Sequence, residues 1–235
     1  MKNDKLTVGV ITAMTVEAEG IIAEMTETKE ITVGAVKFVT GKLKNINCVV
    51  SVSGVGKVFA AICAQTMILT FKPDVIVNSG IAGTLTKELS VCDAAIATTL
   101  VQYDMDTSAI GDPYGMISGI NMIHLPTDEK YSALLEEAVK ETSDCRVLRG
   151  TIASGDKFIA DREEKEKIAA AFGAVACEME GAAIGQVCYV NSVPCCVMRA
   201  ISDGEGAEMD YPVFRSIAAD RAVKMILSFF GKLNG

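Results

Sequence analysis

The sequence predicts an α/β protein, a three-layer α/β/α single domain with a central mixed, largely parallel sheet. Short apolar runs alternate with helix-like patterns almost from end to end of the 235 residues, as they do where strands are joined through covering helices. The length suits one large domain spanning 1–235. No repeat, low-complexity tract or linker divides it.

Taken in order, residues 6–14 read as a buried strand, with Val8, Val10 and Ile11 broken only by Gly9, leading into an acidic stretch. Residues 31–40 and 46–53 are β-rich, and the turn region 41–45 between them predicts a hairpin. Lys57–Phe71 is apolar on nearly all sides, which predicts a deeply packed helix. That helix ends at Lys72-Pro73, and residues 74–79 begin another buried strand around Val75, Ile76 and Val77. A further strand is predicted over 94–101. Residues 104–119 hold Gly, Pro and Asp without periodicity, and at roughly 16 residues they exceed the usual loop length, which marks a functional loop. Tyr131, Leu134, Leu135, Ala138 and Val139 share one face of a helix predicted over 127–142. Asp161 and Glu164 have the spacing of a capping box for a helix ending near Phe172. Residues 193–201 form an apolar strand. Pro212 suits the first turn of a last helix whose one face holds Phe214, Ile217, Ala218, Met225 and Phe229.

Composition narrows the function. With 22 basic and 30 acidic residues the formal charge is −8, which argues against nucleic acid as a partner because that binding rests on basic phosphate contacts. An uncharged nucleoside is not excluded by it. A single histidine, His124, leaves one candidate base for a Ser-His-Asp triad and rules out zinc sites built on several histidines. The eight cysteines show no C-x-x-C spacing and mostly sit in apolar runs, so they read as small buried hydrophobes in a reducing cytoplasm. No signal-peptide h-region and no apolar run of membrane-spanning length is present.

Ligands of such sheets collect where strand carboxyl ends meet loops, and four segments place polar residues there: 13–17 with Met14 and Glu17, 78–83 with Gly80 and Gly83, 154–159 with Asp156 and Phe158, and 199–204 with Arg199, Ser202 and Asp203. Beside them Glu178 and Glu180 flank Met179 at the head of an apolar, helical run. Each has an ordinary structural reading. Glu17 and Glu19 suit a helix N-terminus, Asp203 a cap, Glu178 and Glu180 a solvated helix start, and Phe158 the core. Lys57 in Gly54-Val55-Gly56-Lys57 lacks the phosphate-loop spacing. Jointly, several carboxylates without a histidine suit cleavage of a glycosidic bond, which needs a base, an acid and a hydroxyl acceptor.

Ala13-Met14…Glu17, Ser53-Gly54-Val55-Gly56-Lys57, Ser154-Gly155-Asp156…Phe158-Ile159, Glu178-Met179-Glu180 and Arg199-Ala200-Ile201-Ser202-Asp203 occur in one order and spacing. By these motifs the chain resembles the 5′-methylthioadenosine/S-adenosylhomocysteine nucleosidases of the purine nucleoside phosphorylase superfamily, from residue 6 to about 233. The resemblance implies hydrolysis of an adenine nucleoside with Glu17 as general base toward water and Asp203 as general acid toward N7 of the base. It further implies that Glu180 accepts from the ribose hydroxyls, Met179 packs on the sugar and Phe158 stacks on the base. The Ile159 backbone and Ser202 would hold the base edge or Asp203, and Arg199 would help fix the water and Glu17. Met14, Ala82 and Gly83 would line the site, with Ile110 and Tyr211 against the 5′ substituent. The implied partners are a small nucleoside, water and a second copy of the chain in a homodimer, without nucleic acid or membrane; no cofactor or metal is implied. Two departures stand out. Ile81 replaces the family's usual serine, and 104–119 matches only loosely the loop that covers a partner's 5′ pocket. A futalosine-type nucleoside hydrolase and a phosphate-dependent phosphorylase remain the alternatives.

Overall fold

A computed structural model describes residues 6–142, 145–203 and 211–233, the side chains of 211–215 excepted. Its strands are β1 (Thr7–Thr12), β2 (Thr26–Val33), β3 (Val36–Leu43), β4 (Ile46–Val52), β5 (Val75–Thr84), β6 (Ala94–Gln102), β7 (Leu125–Pro126), β8 (Val147–Ser154), β9 (Ala174–Glu178) and β10 (Cys195–Asp203). The helices are α1 (Thr15–Ala23), α2 (Lys57–Phe71), α3 (Glu129–Thr142), α4 (Arg162–Phe172), α5 (Gly181–Val190) and α6 (Tyr211–Lys232).

The strands form one mixed sheet, as expected, but it is not largely parallel, and its closure departs from the three-layer arrangement expected. Parallel pairings join β1 to β4 and β5, β5 to β10, β6 to β8 and β8 to β9. As many are antiparallel, namely β2–β3, β3–β4, β5–β9, β6–β7 and β6–β10. Because β5 meets both β9 and β10, strands β5, β10, β6, β8 and β9 close into a barrel from which β1, β4, β3 and β2 extend. Length lets β5 do this. Its first part pairs with β1 at 75–78, and its last two residues, Gly83 and Thr84, pair with Cys177 and Ala176 of β9.

Alternating residues divide the core between the two faces. Val8, Val10, Val75, Val77 and Ile96 pack with α1, α3 and α6, whereas Ile11, Ile76, Ala95 and Ala97 pack toward α2 and α5. The amphipathic α3 buries Leu135, Ala138 and Val139 as its spacing predicts. Pro212 sits in the first turn of α6, whose Ala218, Met225 and Phe229 are buried. Ile217 is instead exposed, and the Phe214 side chain lies outside the described residues. α2 also departs from expectation, since Val58, Phe59, Ile62 and Leu69 face solvent and only Ala60, Cys63, Ala64, Met67 and Ile68 are buried.

The predicted strand over 31–40 is two strands. Gly34 at φ 59° reverses the chain between Val33 and Val36, and the long hairpin gains a third strand before β4. The segments 78–83 and 199–203 lie inside β5 and β10 rather than after them. Two glycines in β5 mark close approach instead of a turn. A Cβ on Gly80 would stand 2.9 Å from Glu17 Oε1, and one on Gly83 the same distance from Asp203 Oδ2.

Candidate active site

The ends of β1, β5, β9 and β10 and the starts of α1 and α5 surround a cleft of about 590 Å3, its open mouth included. Glu17, Met14, Ala82, Gly83, Phe158, Ile159, Met179, Glu180, Ser202 and Asp203 all line it. Phe158 stands at 53% exposure on its wall, and Ile159 is buried beneath.

Glu17 is the third residue of α1, and its carboxylate turns back to the strand end. Oε2 accepts from the backbone N–H of Met14 (2.9 Å) and Ala13 (3.0 Å), and Oε1 from that of Ile81 (3.2 Å). Burial nonetheless wins and raises the Glu17 carboxyl, against the opposing pull of these amides and the Arg199 charge. The result is a desolvated, oriented carboxylate poised to take a proton.

Glu178 and Glu180, alike in sequence, have separate environments. Glu178 caps α5: its oxygens accept from the N–H of Glu180 (2.9 Å) and Gly181 (2.8 and 3.0 Å), from the Ser154 hydroxyl and from Arg199. Burial would raise this carboxyl, but Arg199, Ser154 and the amides together hold it below the usual carboxylate value. Glu180 keeps one backbone donor, Gly56 N–H at 2.8 Å. Burial first and the Glu178 charge second push its carboxyl up to about 7. Glu17, Glu178 and Glu180 thus share the charge of one buried guanidinium.

That guanidinium, Arg199, does not reach Glu17 by hydrogen bond. Its Nη2 donates to Glu178 and Asn78 Oδ1, and its Nη1 to the carbonyls of Met198 (2.9 Å) and Asn78 (3.2 Å), while Nε has no partner among the described residues. It therefore acts on Glu17 through charge and ties β5, β9 and β10 together behind the cleft.

Asp203 ends β10 beside Gly83. Ser202 Oγ donates to its Oδ1 at 3.1 Å or to the Ala82 carbonyl at 3.3 Å, and Lys165 Nζ from α4 donates to Oδ2 at 2.6 Å. Around the start of α2, Lys57 N–H donates to Asp156 Oδ1 at 2.7 Å, so carboxylates occupy the amides of the Gly-Val-Gly-Lys turn. Ile110 lies elsewhere, in a 3-10 turn (Ser108–Ile110) at 82% exposure. Tyr211 begins α6, and its side chain lies outside the described residues. Among the described residues, no three His, Cys, Asp or Glu side chains gather to hold a metal ion.

The phosphorylase superfamily model matches residues 7–230. The chain belongs to the phosphorylase superfamily. Within it, the chain is 36% identical over 230 residues to aminodeoxyfutalosine nucleosidase of Campylobacter jejuni, covering 97% of this chain and 100% of that one. It is 42% identical over 219 residues to the 5′-methylthioadenosine/S-adenosylhomocysteine nucleosidase of Staphylococcus aureus, covering 90% and 93%. The crystal structure of the Neisseria meningitidis enzyme of that name, in complex with methylthio-immucillin-A, superposes with a TM-score of 0.90 at 32% identity, covering 95% of this chain and 97% of that one.

Sequence reasoning missed several residues of this superfamily member's site. Val55, Lys157 and Cys177 line the cleft; they sit within or beside the motifs quoted above, but an apolar, a basic and a thiol side chain there carry no chemical signal of their own. Lys165 is hidden in the charged run Arg162–Lys167, where a surface face is the natural reading. Glu178 was legible only as one of a pair: both it and Glu180 line the cleft, and only the fold gives Glu178 the α5 amides, Ser154 and Arg199.

Proposed function

We propose that the protein is a single-domain, cytoplasmic N-glycosyl hydrolase that cleaves 5′-methylthioadenosine and S-adenosylhomocysteine, releasing adenine. The observation that carries this reading is the pair of buried carboxylates, Glu17 and Asp203, brought into one cleft on different supports. One is held by backbone amides, the other by a lysine and a serine. Acid and base work on a glycosidic bond needs two carboxyl groups in unlike environments.

In this reaction Glu17 orients water at the anomeric carbon and takes its proton. Asp203 gives a proton to N7 so that the base leaves neutral. Positive charge builds on the ribose as the bond breaks, and the buried carboxyl groups of Glu17 and Glu180 stabilise it. Glu180 accepts from the ribose hydroxyls, Met179 packs against the sugar, and Phe158 covers the base. Water rather than phosphate is the acceptor, because the cations and amides around the cleft already serve carboxylates: Arg199 serves Glu178, Lys157 serves Glu164, and the α2 amides serve Glu180 and Asp156. The Campylobacter relative makes the aminodeoxyfutalosine type of nucleoside the second substrate to try. We take the working form to be a homodimer in which the loop carrying Ile110 reaches the partner's cleft at the 5′ end.

Product analysis tests the reaction. Purified protein with methylthioadenosine should release adenine and free methylthioribose in phosphate-free buffer, and Glu17→Gln and Asp203→Asn should each lower kcat by about 10²-fold or more. A sugar 1-phosphate formed only when phosphate is added would reassign the chain to phosphorolysis.

A further inference from the structure

Lys165 takes no part in the steps above, yet its Nζ lies 2.6 Å from Asp203 Oδ2, and both side chains are only 11% exposed. The other cations of α4 behave differently. Arg162 and Lys167 pair with Glu166 and Glu163 along the helix surface, with every one of these side chains more than 60% exposed. A lysine is seldom buried without a reason. Stability is a poor one, because removing two charges from water offsets most of their attraction and an apolar side chain of similar volume commonly serves as well. What the ammonium does change is the carboxyl group it holds.

Among the described residues, the other donor to Asp203 is exchangeable. Ser202 has one hydroxyl proton and two acceptors in reach, Asp203 Oδ1 at 3.1 Å and the Ala82 carbonyl at 3.3 Å. Rotation of that hydroxyl toward Ala82 frees Oδ1, whereas Lys165 keeps Oδ2. From this geometry we infer that Lys165 is the positioning residue of Asp203: it fixes Oδ2 and thereby sets Oδ1 as the oxygen that meets the leaving base. The inference rests on the reading of Asp203 as the acid. Lys165 touches neither base nor sugar in this role and acts only through the carboxyl group.

The test compares wild type, Lys165→Met, Lys165→Arg, Asp203→Asn and the Lys165→Met/Asp203→Asn double variant on two substrates. One is methylthioadenosine. The other is p-nitrophenyl 5-methylthioriboside, whose leaving group departs as an anion and needs no proton. Lys165→Met should lower kcat on methylthioadenosine by about 10- to 100-fold with KM changed by less than about threefold. Lys165→Arg should recover most of the loss, and on the nitrophenyl substrate both variants should match wild type. The double variant should be no slower than Asp203→Asn, since groups acting as a unit do not add. Near wild-type turnover by Lys165→Met, an equal loss on both substrates, or multiplied losses in the double variant overturns the inference. Full activity of Asp203→Asn overturns the acid assignment itself, and this inference with it. Should Lys165→Met melt far below wild type, Lys165→Gln, uncharged but able to donate, is read against the same outcomes.

Discussion

Glu180 shows how a site residue can weaken the fold that holds it. Its carboxyl stands at about 7 against an ordinary 4.5, through burial first and Glu178 second. Between those values the folded chain holds a proton that the unfolded chain has released. Stability from this source is therefore greatest at the acidic end and falls as pH rises toward about 7. Glu180→Gln removes the titration while keeping an acceptor for Gly56 N–H. It should melt above wild type at about pH 8, with the gain shrinking toward about pH 5, while methylthioadenosine turnover should fall if Glu180 holds the ribose as proposed. A melting difference that does not change with pH would show that Glu180 is not held in this way. Gly83 is the reverse case, a position that matters to the site more than to the fold. Its φ is not in the left-handed region, so alanine is allowed by the backbone, but the new Cβ would stand 2.9 and 3.1 Å from the two oxygens of Asp203. Gly83→Ala should cut kcat at least about tenfold and lower the melting temperature little; a variant with unchanged kcat would mean that Asp203 has room to spare.

α4 links local sequence to the site. Asp161 caps it by accepting from Glu164 N–H at 2.9 Å, but the expected reciprocal arm of the capping box is absent: Glu164 turns its carboxylate to Lys157 Nζ, 2.6 Å away. Gly173 closes the helix in the left-handed conformation. Asp161→Ala should cost about 1 kcal/mol, seen as a fall of about 2–4 °C in the melting temperature, and an unchanged melt would mean the cap adds nothing. α3, α4 and the buried strands were legible because apolar spacing and caps are local signals. The turn at Gly34 was not, since β2 is mostly exposed and its residues alternate weakly. Barrel closure was illegible for a different reason. Whether β5 meets β9 as well as β1 and β10 depends on pairing between residues about 90 apart in the chain (Gly83 with Cys177), which no local pattern encodes. The site followed the same division: Glu17, Glu180 and Asp203 sit in motifs, whereas the partnerships of Arg199 with Glu178 and of Lys165 with Asp203 are made only by the fold.

At the scale of the whole molecule, the outward face of α2 is the feature a lone chain leaves unexplained. Val55 before the helix and Phe59, Ile62 and Leu69 on it are all about half exposed or more, and the three helical residues stand at the i, i+3, i+10 spacing of a single stripe. Tyr189 and Val190 extend the exposure at the end of α5, which Gln65 and Asn191 tie to α2. Contiguous apolar surface of this kind marks an interaction site rather than ordinary exposure. The same stripe starts at the Gly-Val-Gly-Lys turn, where Val55 lines the cleft and Gly56 holds Glu180. A second copy seated on α2 would thus abut the cleft mouth and could supply the exposed Ile110 to its 5′ end. Light scattering at micromolar concentration should give the mass of two 24.9 kDa chains. Phe59→Glu places a charge in the middle of the stripe, at a cost above about 2 kcal/mol for a central aromatic contact, and should shift the mass toward one chain. If the cleft is completed across the interface, KM for methylthioadenosine should rise in step with dissociation on dilution of this variant. A wild-type monomer with full turnover would remove the shared cleft and leave the α2 stripe to some other partner.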